Sequence, residues 1–300
     1  MRNDFHIITN KENEIMKTKF SIFAMLCFMF MVVITSCSND DDKDKQVVTP
    51  EAEKAFNLQY PNAKNVKWEA KNTYYVAEFN DAGSKSVDAW YNAAGEWFLS
   101  EYDIAYDAIP AAVQTTFSNS AYGKWTVDDV DLIRRPSFKD LYIIDADDPS
   151  SENDVDVYIA ADGILIKTVV DSDNSPAQPV IVPKVITDAI NNKYPQASIV
   201  DFDQEKNGNY EVDIIFDSQA LEVTFDSKYN WLYTESEIQI SDVPSVVINA
   251  VNAKFAGYSI DDDITLRTMP TPPNQYIFEL EKAGAADVTA IFDANGIFVK

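Results

Sequence analysis

From about residue 51 onward the chain alternates short stretches of helical spacing with runs that read as strands. Helical patterns begin near Glu51, Pro110, Pro183 and Pro244. Proline suits the start of a helix because its missing N–H would have no helical partner there. In the third pattern Ile186, Ala189, Ile190 and Lys193 follow three-and-four spacing, and Tyr194 precedes Pro195, which ends it. In the fourth, Val247, Val251 and Phe255 line one face. After each helix come runs rich in aromatic and β-branched residues. Tyr74 to Phe79, Val87 to Tyr91 and Glu96 to Tyr102 follow the first; Tyr210 to Phe216, Leu221 to Phe225 and Trp231 to Glu235 follow the third. Asn207-Gly208, Asp162-Gly163 and Asn295-Gly296 mark hairpins, because such pairs tolerate positive φ. One helix and several hairpin-linked strands, four times over, predict an α+β fold of antiparallel sheets with helices packed on one face.

The pattern is also an internal repeat. Tyr60-Pro61-Asn62-Ala63 recurs as Tyr194-Pro195-Gln196-Ala197, 134 residues later. Trp97 and Trp231, Glu101 and Glu235, and Ile109-Pro110 and Val243-Pro244 keep that offset, and Gly163-Ile164 with Lys167 recurs as Gly296-Ile297 with Lys300. So many matches in order at one spacing indicate duplication. Residues 171–180, with two prolines and almost no apolar content, read as a linker. The expected domains are therefore 51–170 and 181–300, each a doubled helix-plus-strands unit.

The first fifty residues have a different character. Lys17 and Lys19 precede an apolar run from Phe20 to Ile34, too short to span a bilayer comfortably. Ile34-Thr35-Ser36-Cys37 follows and resembles a lipobox, so residues 1–36 are expected to be a lipoprotein signal peptide, with Met16 as the true start. Cys37 would carry the lipid, palmitate included, since two or more acyl chains hold a protein stably on a membrane. Residues 37–50 read as an acidic tether, and Ser38-Asn39-Asp40-Asp41-Asp42 resembles the export signal of outer-membrane surface lipoproteins. The expected location is the outer membrane, lipid-anchored, facing the periplasm or the cell exterior.

Composition removes several function classes. The one histidine, His6, and Cys27 lie before the expected cut, and lipid would consume Cys37. That leaves no imidazole or thiol for triads, zinc, haem or disulfides, so no cofactor is expected. A net charge of −25 repels phosphate backbones and argues against nucleic acid as a partner.

The order of helix, Tyr-Pro-x-Ala and strands ending in an aromatic before acidic residues resembles the PepSY-like lipoproteins of Bacteroidetes. The resemblance covers about 51–300; Ser120-Ala121-Tyr122 and Ala256-Gly257-Tyr258 depart from it, lacking the Tyr-Pro pair. It implies a fold similar to that of β-lactamase-inhibitor protein, and binding at the periplasm or surface without catalytic residues.

Two kinds of side chain remain as candidates for function. Asp145, Asp147, Asp148, Asp154 and Asp156 cluster, as do Asp261, Asp262 and Asp263, but neither shows a complete calcium-loop pattern, and no metal site is expected. Carboxylates are abundant enough to permit a paired-carboxylate glycosidase without supporting one. The aromatics Trp68, Trp90, Trp97, Trp231 and Tyr233 are the expected binding residues. Strand alternation sends Trp90 and Tyr91, or Trp97 and Phe98, to opposite faces, so a sheet face bearing aromatics and acids could meet a partner. The leading expectation is a non-enzymatic, lipid-anchored module binding a protein or peptide, as inhibitor or modulator. The alternative is a surface glycan binder, with rings stacking on sugars.

Overall fold

A computed structural model describes residues 48–149, 154–170 and 177–300. The expected signal peptide, the lipidation site Cys37 and the acidic tether up to Val47 lie outside the described residues, as do positions 171–176 of the expected linker. The described residues form one compact unit. Among the described residues no helix is long and apolar enough to cross a membrane.

Among the described residues four α-helices form: α1 (Pro50–Gln59), α2 (Ala111–Asn119), α3 (Lys184–Lys193) and α4 (Ser245–Lys254). Pro50 occupies the first turn of α1, where Thr49 caps the helix by accepting from the Ala52 amide at 3.3 Å. Pro110, Pro183 and Pro244 sit one residue further out than the sequence suggests, as N-caps with φ near −57°. Their fixed φ launches the helix from just outside it, and such boundaries shift by a residue with the criterion used.

Among the described residues fifteen strands make two antiparallel meanders. The first sheet runs in sequence order through β1 (Lys64–Lys71), β2 (Tyr74–Asn80), β3 (Ser86–Asn92), β4 (Trp97–Asp103), β5 (Thr126–Arg134), β6 (Leu141–Asp147), β7 (Asp154–Ala160) and β8 (Leu165–Val170). The second holds β9 (Ser198–Gln204), β10 (Tyr210–Phe216), β11 (Gln219–Phe225), β12 (Trp231–Ile238), β13 (Ser259–Thr268), β14 (Gln275–Glu281) and β15 (Val288–Asp293).

Each helix buries two residues one turn apart, and each pair seeds its own core. Ala52 and Phe56 of α1 pack on Ala77, Phe79, Val87 and Tyr91; Val113 and Phe117 of α2 pack on Val130, Ile144 and Val157. Ile186 and Ile190 of α3 cover Val212, Ile214 and Val223, and Val247 and Val251 of α4 cover Ile264, Phe278 and Phe292. All four helices therefore cover one face of a sheet. A fifth core lies on the helix-free face, where Val76, Trp90, Leu99, Ile133, Leu141 and Ala160 of the first sheet meet Val200 and Ile215 of the second. At roughly 25 cal/mol per Å² of apolar surface, this junction is a substantial part of what holds the two sheets together.

The repeat has a structural signature at the end of α1 and α3. Tyr60 Oη lies 2.7 Å from Ser100 Oγ, which also accepts from Trp97 Nε1 at 2.8 Å. In the second half Tyr194 Oη donates to Thr234 Oγ1 at 2.6 Å, and Trp231 Nε1 donates to the same oxygen at 3.0 Å. The Tyr-Pro-x-Ala and tryptophan marks are thus one device, tying a helix terminus to the fourth strand of its sheet half.

Candidate functional site

On the helix-free face of the second sheet, one charged residue from each of five adjacent strands falls in register. Asp201 of β9 pairs with Asp213 of β10, Asp213 with Glu222 of β11, Glu222 with Glu235 of β12, and Glu235 with Arg267 of β13. Strand alternation explains how the sequence makes this row: the residues between them, such as Val212, Ile214 and Val223, are those buried under α3. The same row exists in the first sheet as Lys67, Glu78, Asp88, Glu101 and Ile133. The two rows share three central carboxylates and differ at both ends.

Cations close the row in the second sheet. Lys167, reaching from β8, places Nζ 3.1 Å from Asp201, 3.3 Å from Asp203, 3.8 Å from Glu211 and 2.9 Å from Asp213. Arg135 donates to the Asp201 carboxylate at 2.9 Å and to the Val200 carbonyl at 2.8 Å. At the far end the Arg267 guanidinium lies 2.9 Å from Glu235 and stacks over Tyr233, 4.4 Å from the ring centre. Between these ends runs a groove of about 460 Å³, lined among others by Lys167, Asp213, Glu222, Glu235, Glu237 and Thr265.

The electrostatics follow from crowding. Burial, with Glu211, Glu235 and Asp213 as neighbours, pushes the Glu222 carboxyl up to about 8. Burial and Asp213 push Glu211 up to about 7. Asp213 and Asp203 are also raised, burial outweighing the attraction of Lys167. Asp201 goes the other way: burial opposes its charge, but Lys167 and Arg135 together hold it below the ordinary value. Burial disfavours the Lys167 ammonium, yet Asp201, Asp213 and Asp203 raise it well above a free lysine. The first sheet shows the same physics without such a lysine, with Glu101 raised to about 7 and Asp131 to about 8, by burial first and neighbouring carboxylates second.

Glu211, Asp213 and Glu222 bring carboxylate oxygens within 4.8 Å of one another, the one such group among the described residues. Calcium takes six to eight oxygens, so three carboxylates make only part of a shell. Lys167 already brings positive charge to two of the three. Of the acids singled out in the sequence, Asp145 faces Asp156 and Asp147 faces Asp154 across β6 and β7, on the helix-free face of the first sheet.

The five aromatic candidates are scattered by the fold rather than gathered. Trp68 packs edge-on to Phe56 at 5.3 Å, on the helix side. Trp97 and Trp231 are on that side too, held by the bonds to Ser100 and Thr234, with Lys193 Nζ 3.4 Å over the Trp231 ring. Trp90 points the opposite way from Tyr91 and is 4 % exposed in the junction between the sheets. Of the five, Tyr233 alone stands beside the acidic row. The row itself is the feature that sequence reading passed over. Its signal was present in Glu211-x-Asp213 and Glu235-x-Glu237, acids alternating with residues of another kind, but pairing across strands is not visible in one strand.

Residues 73–167, 168–217 and 210–300 match the family described as "Putative beta-lactamase-inhibitor-like, PepSY-like". No curated protein matches the chain. Among solved structures, a BLIP-like protein of Bacteroides fragilis is 28 % identical, covering 47 % of this chain and all of its own, with a TM-score of 0.42. A DUF2874 family protein of Bacteroides ovatus is 26 % identical over 41 % of this chain and 87 % of its own, TM-score 0.38. A Bacteroides eggerthii structure described among "putative periplasmic proteins" is 22 % identical over 41 % and 89 %, TM-score 0.39. The three matched segments together take in well over half of the chain, and this chain belongs to the PepSY-like, beta-lactamase-inhibitor-like family.

Proposed function

We propose that this protein is a non-enzymatic, lipid-anchored binding module of the periplasm or cell surface, and that its contact surface is the helix-free face of the second sheet. The observation that carries this reading is the in-register row from Asp213 to Glu235 beside an open groove. Carboxylates ranked across adjacent strands repel one another, and a partner that brings positive charge relieves that repulsion. The partner is therefore a protein or peptide presenting lysine or arginine. The family's inhibitor-like description supports a role as inhibitor or modulator of that partner. The tryptophans that a glycan reader would stack on sugars pack instead beneath helices or between sheets, which favours the protein reading. Cys37 anchors the module through lipid, and inhibition of lipoprotein signal peptidase should leave the unprocessed chain.

The test is retention of outer-membrane and secreted proteins on the immobilised protein, beside a glycan array. Glu222→Gln with Glu235→Gln should weaken capture of basic partners about tenfold or more, since close charge pairs at interfaces carry 1.5 kcal/mol and upward. Unchanged capture, or selective glycan signal with no protein retained, overturns the reading.

A further inference from the structure

The two sheets pair their third and fourth strands to different extents. In the first sheet β3 and β4 stay paired through Asp88↔Glu101, Val87↔Tyr102 and Ser86↔Asp103. The repeat counterparts, 134 positions on, are Glu222 with Glu235, Leu221 with Ser236, and Ala220 with Glu237. Pairing of β11 with β12 stops at Glu222↔Glu235. Beyond it Leu221 and Ala220 still pair with β10, and Ser236 and Glu237 with β13, but β11 and β12 no longer pair with each other. The second sheet is therefore open over a stretch that the first sheet keeps closed.

The groove lies at this opening, and its lining exposes main chain. Where a strand is paired on both sides, a groove above the sheet meets alternate side chains. Accordingly β10 and β13 contribute one residue each, Asp213 and Thr265. Three other strands line it with unbroken runs: residues 219–222 of β11, 235–237 of β12 and 165–168 of β8. A run of consecutive residues means that the strand shows its edge. For β11 and β12 that edge is the unpaired stretch. For β8 it is the outer edge of the first sheet: β8 pairs with β7 on one side, and among the described residues no backbone bond reaches its other side.

Backbone N–H and C=O groups along a free edge are a template for another strand. The other outer strand of the first sheet, β1, carries Lys64, Lys67 and Lys71 along its exposed length. β8 has no such guard. It reads Leu-Ile-Lys-Thr-Val-Val, its one lysine is drawn away to Asp201 and Asp213, and Leu165 and Val170 stand exposed. The charges on the groove floor are also unevenly answered. Lys167 meets Asp213 and Arg267 meets Glu235. Glu222, in register between those two acids, makes no ion pair among the described residues.

We propose that the groove takes an extended peptide segment as a ninth strand of the first sheet, its backbone paired with the free edge of β8 and a lysine or arginine set on Glu222; this rests on the acidic-face reading above and names how the partner is held. Main-chain bonds supply affinity for a strand of almost any sequence, and the unanswered carboxylate selects the basic residue. A strand rises about 3.3 Å per residue, so the lining stretch of β8 seats about four residues of the guest. The partner therefore offers a loop, a tail or an unfolded segment rather than a folded surface.

The experiment selects random octapeptides displayed on phage against the full chain in detergent micelles, and resynthesises the enriched peptide with a fluorescent label. Enriched sequences should carry lysine or arginine among β-branched residues and lack proline. Glu222→Gln should weaken binding about tenfold, as should norleucine in place of the basic residue. The backbone is tested without altering the protein, by N-methylating the peptide at odd or at even positions. Successive amides of a strand point to opposite edges, so only one of these versions loses its bonds to β8. The two should differ at least about tenfold in Kd, the worth of about two hydrogen bonds. Bound peptide should also slow amide exchange over residues 165–168 and leave β1 unchanged. Equal binding of the two versions, or protection at β1 and not at β8, overturns strand addition; binding that still depends on Glu222 would then leave the acidic-face reading standing. If no enriched peptide depends on Glu222, both fall.

Discussion

At the residue scale, the most instructive atom is the hydroxyl oxygen of Thr234. It takes hydrogen bonds from Tyr194 and from Trp231, and both donors are part-buried. Thr234→Val keeps the shape and strands both donors, so we expect a loss of about 1–3 kcal/mol in urea unfolding. Tyr194→Phe removes one donor and leaves Trp231 paired, and should cost about 1 kcal/mol or less. Equal losses in the two variants would show that the tryptophan bond contributes nothing. This triad also explains what the sequence could and could not reveal. Tyr60 with Tyr194 and Trp97 with Trp231 stood out because the chain repeats them; Ser100 and Thr234, which join them, differ between the copies and left no mark. Repetition pointed to importance and not to role. The tryptophans are expected in the sequence as binding residues, yet the geometry bonds two of them within their own strand to the hydroxyl that receives the tyrosine from the helix end.

At the scale of elements, helices were the most legible part, because two buried residues one turn apart and a proline at the start are local signals. Strands β1 and β9 were less so. β1 is an edge strand whose sequence, Lys64 to Lys71, is exposed along most of its length, so no alternation of apolar residues announces it. Three charged lysines on such an edge also discourage pairing with another chain. Elements meet through close backbone contact as well as through side chains. Gly95, at φ +80°, turns the hairpin between β3 and β4 against the first turn of α1, where an added Cβ would stand 2.5 Å from the Glu51 carbonyl oxygen. Gly163 and Gly296 repeat this approach against α2 and α4, with Ala112 and Val246 as the residues met. The third unit has Tyr229 at the corresponding position, also at positive φ. Three of four units therefore share one way of seating a helix, which is independent support for a doubled duplication. Gly95→Ala should destabilise by about 1–3 kcal/mol through displacement of α1 and the strained φ. Denaturant midpoints would measure it. An unchanged midpoint would mean the helix can retreat without cost, and the shared seating would lose its meaning.

At the scale of the whole molecule, acid content and burial pull in opposite directions. A chain with 49 acidic and 24 basic residues cannot pair every carboxylate with a cation of its own, and the fold takes several carboxylates out of water on its helix-free faces. Glu101, Asp131, Glu211 and Glu222 all titrate near 7 or 8 for that reason. In the unfolded chain the same groups titrate near 4. Between those values the folded state binds more protons than the unfolded one, so stability falls as pH rises. The stability these groups support is therefore fully present below about pH 4 and gone above about pH 8. Asp201 acts with the opposite sign: held below its ordinary value, it stabilises above about pH 4 and loses that contribution as pH falls through its depressed value. The two trends leave a maximum on the mildly acid side of neutrality. Thermal unfolding should give its highest midpoint at about pH 4–6 and fall steadily toward about pH 8.5. Added salt should flatten the alkaline side, because screening weakens repulsion among the exposed part of the acidic surface. A midpoint that rises from about pH 6 to about pH 8.5 would mean these carboxylates are ionised in the fold at neutral pH, and hydrated well enough to remain so.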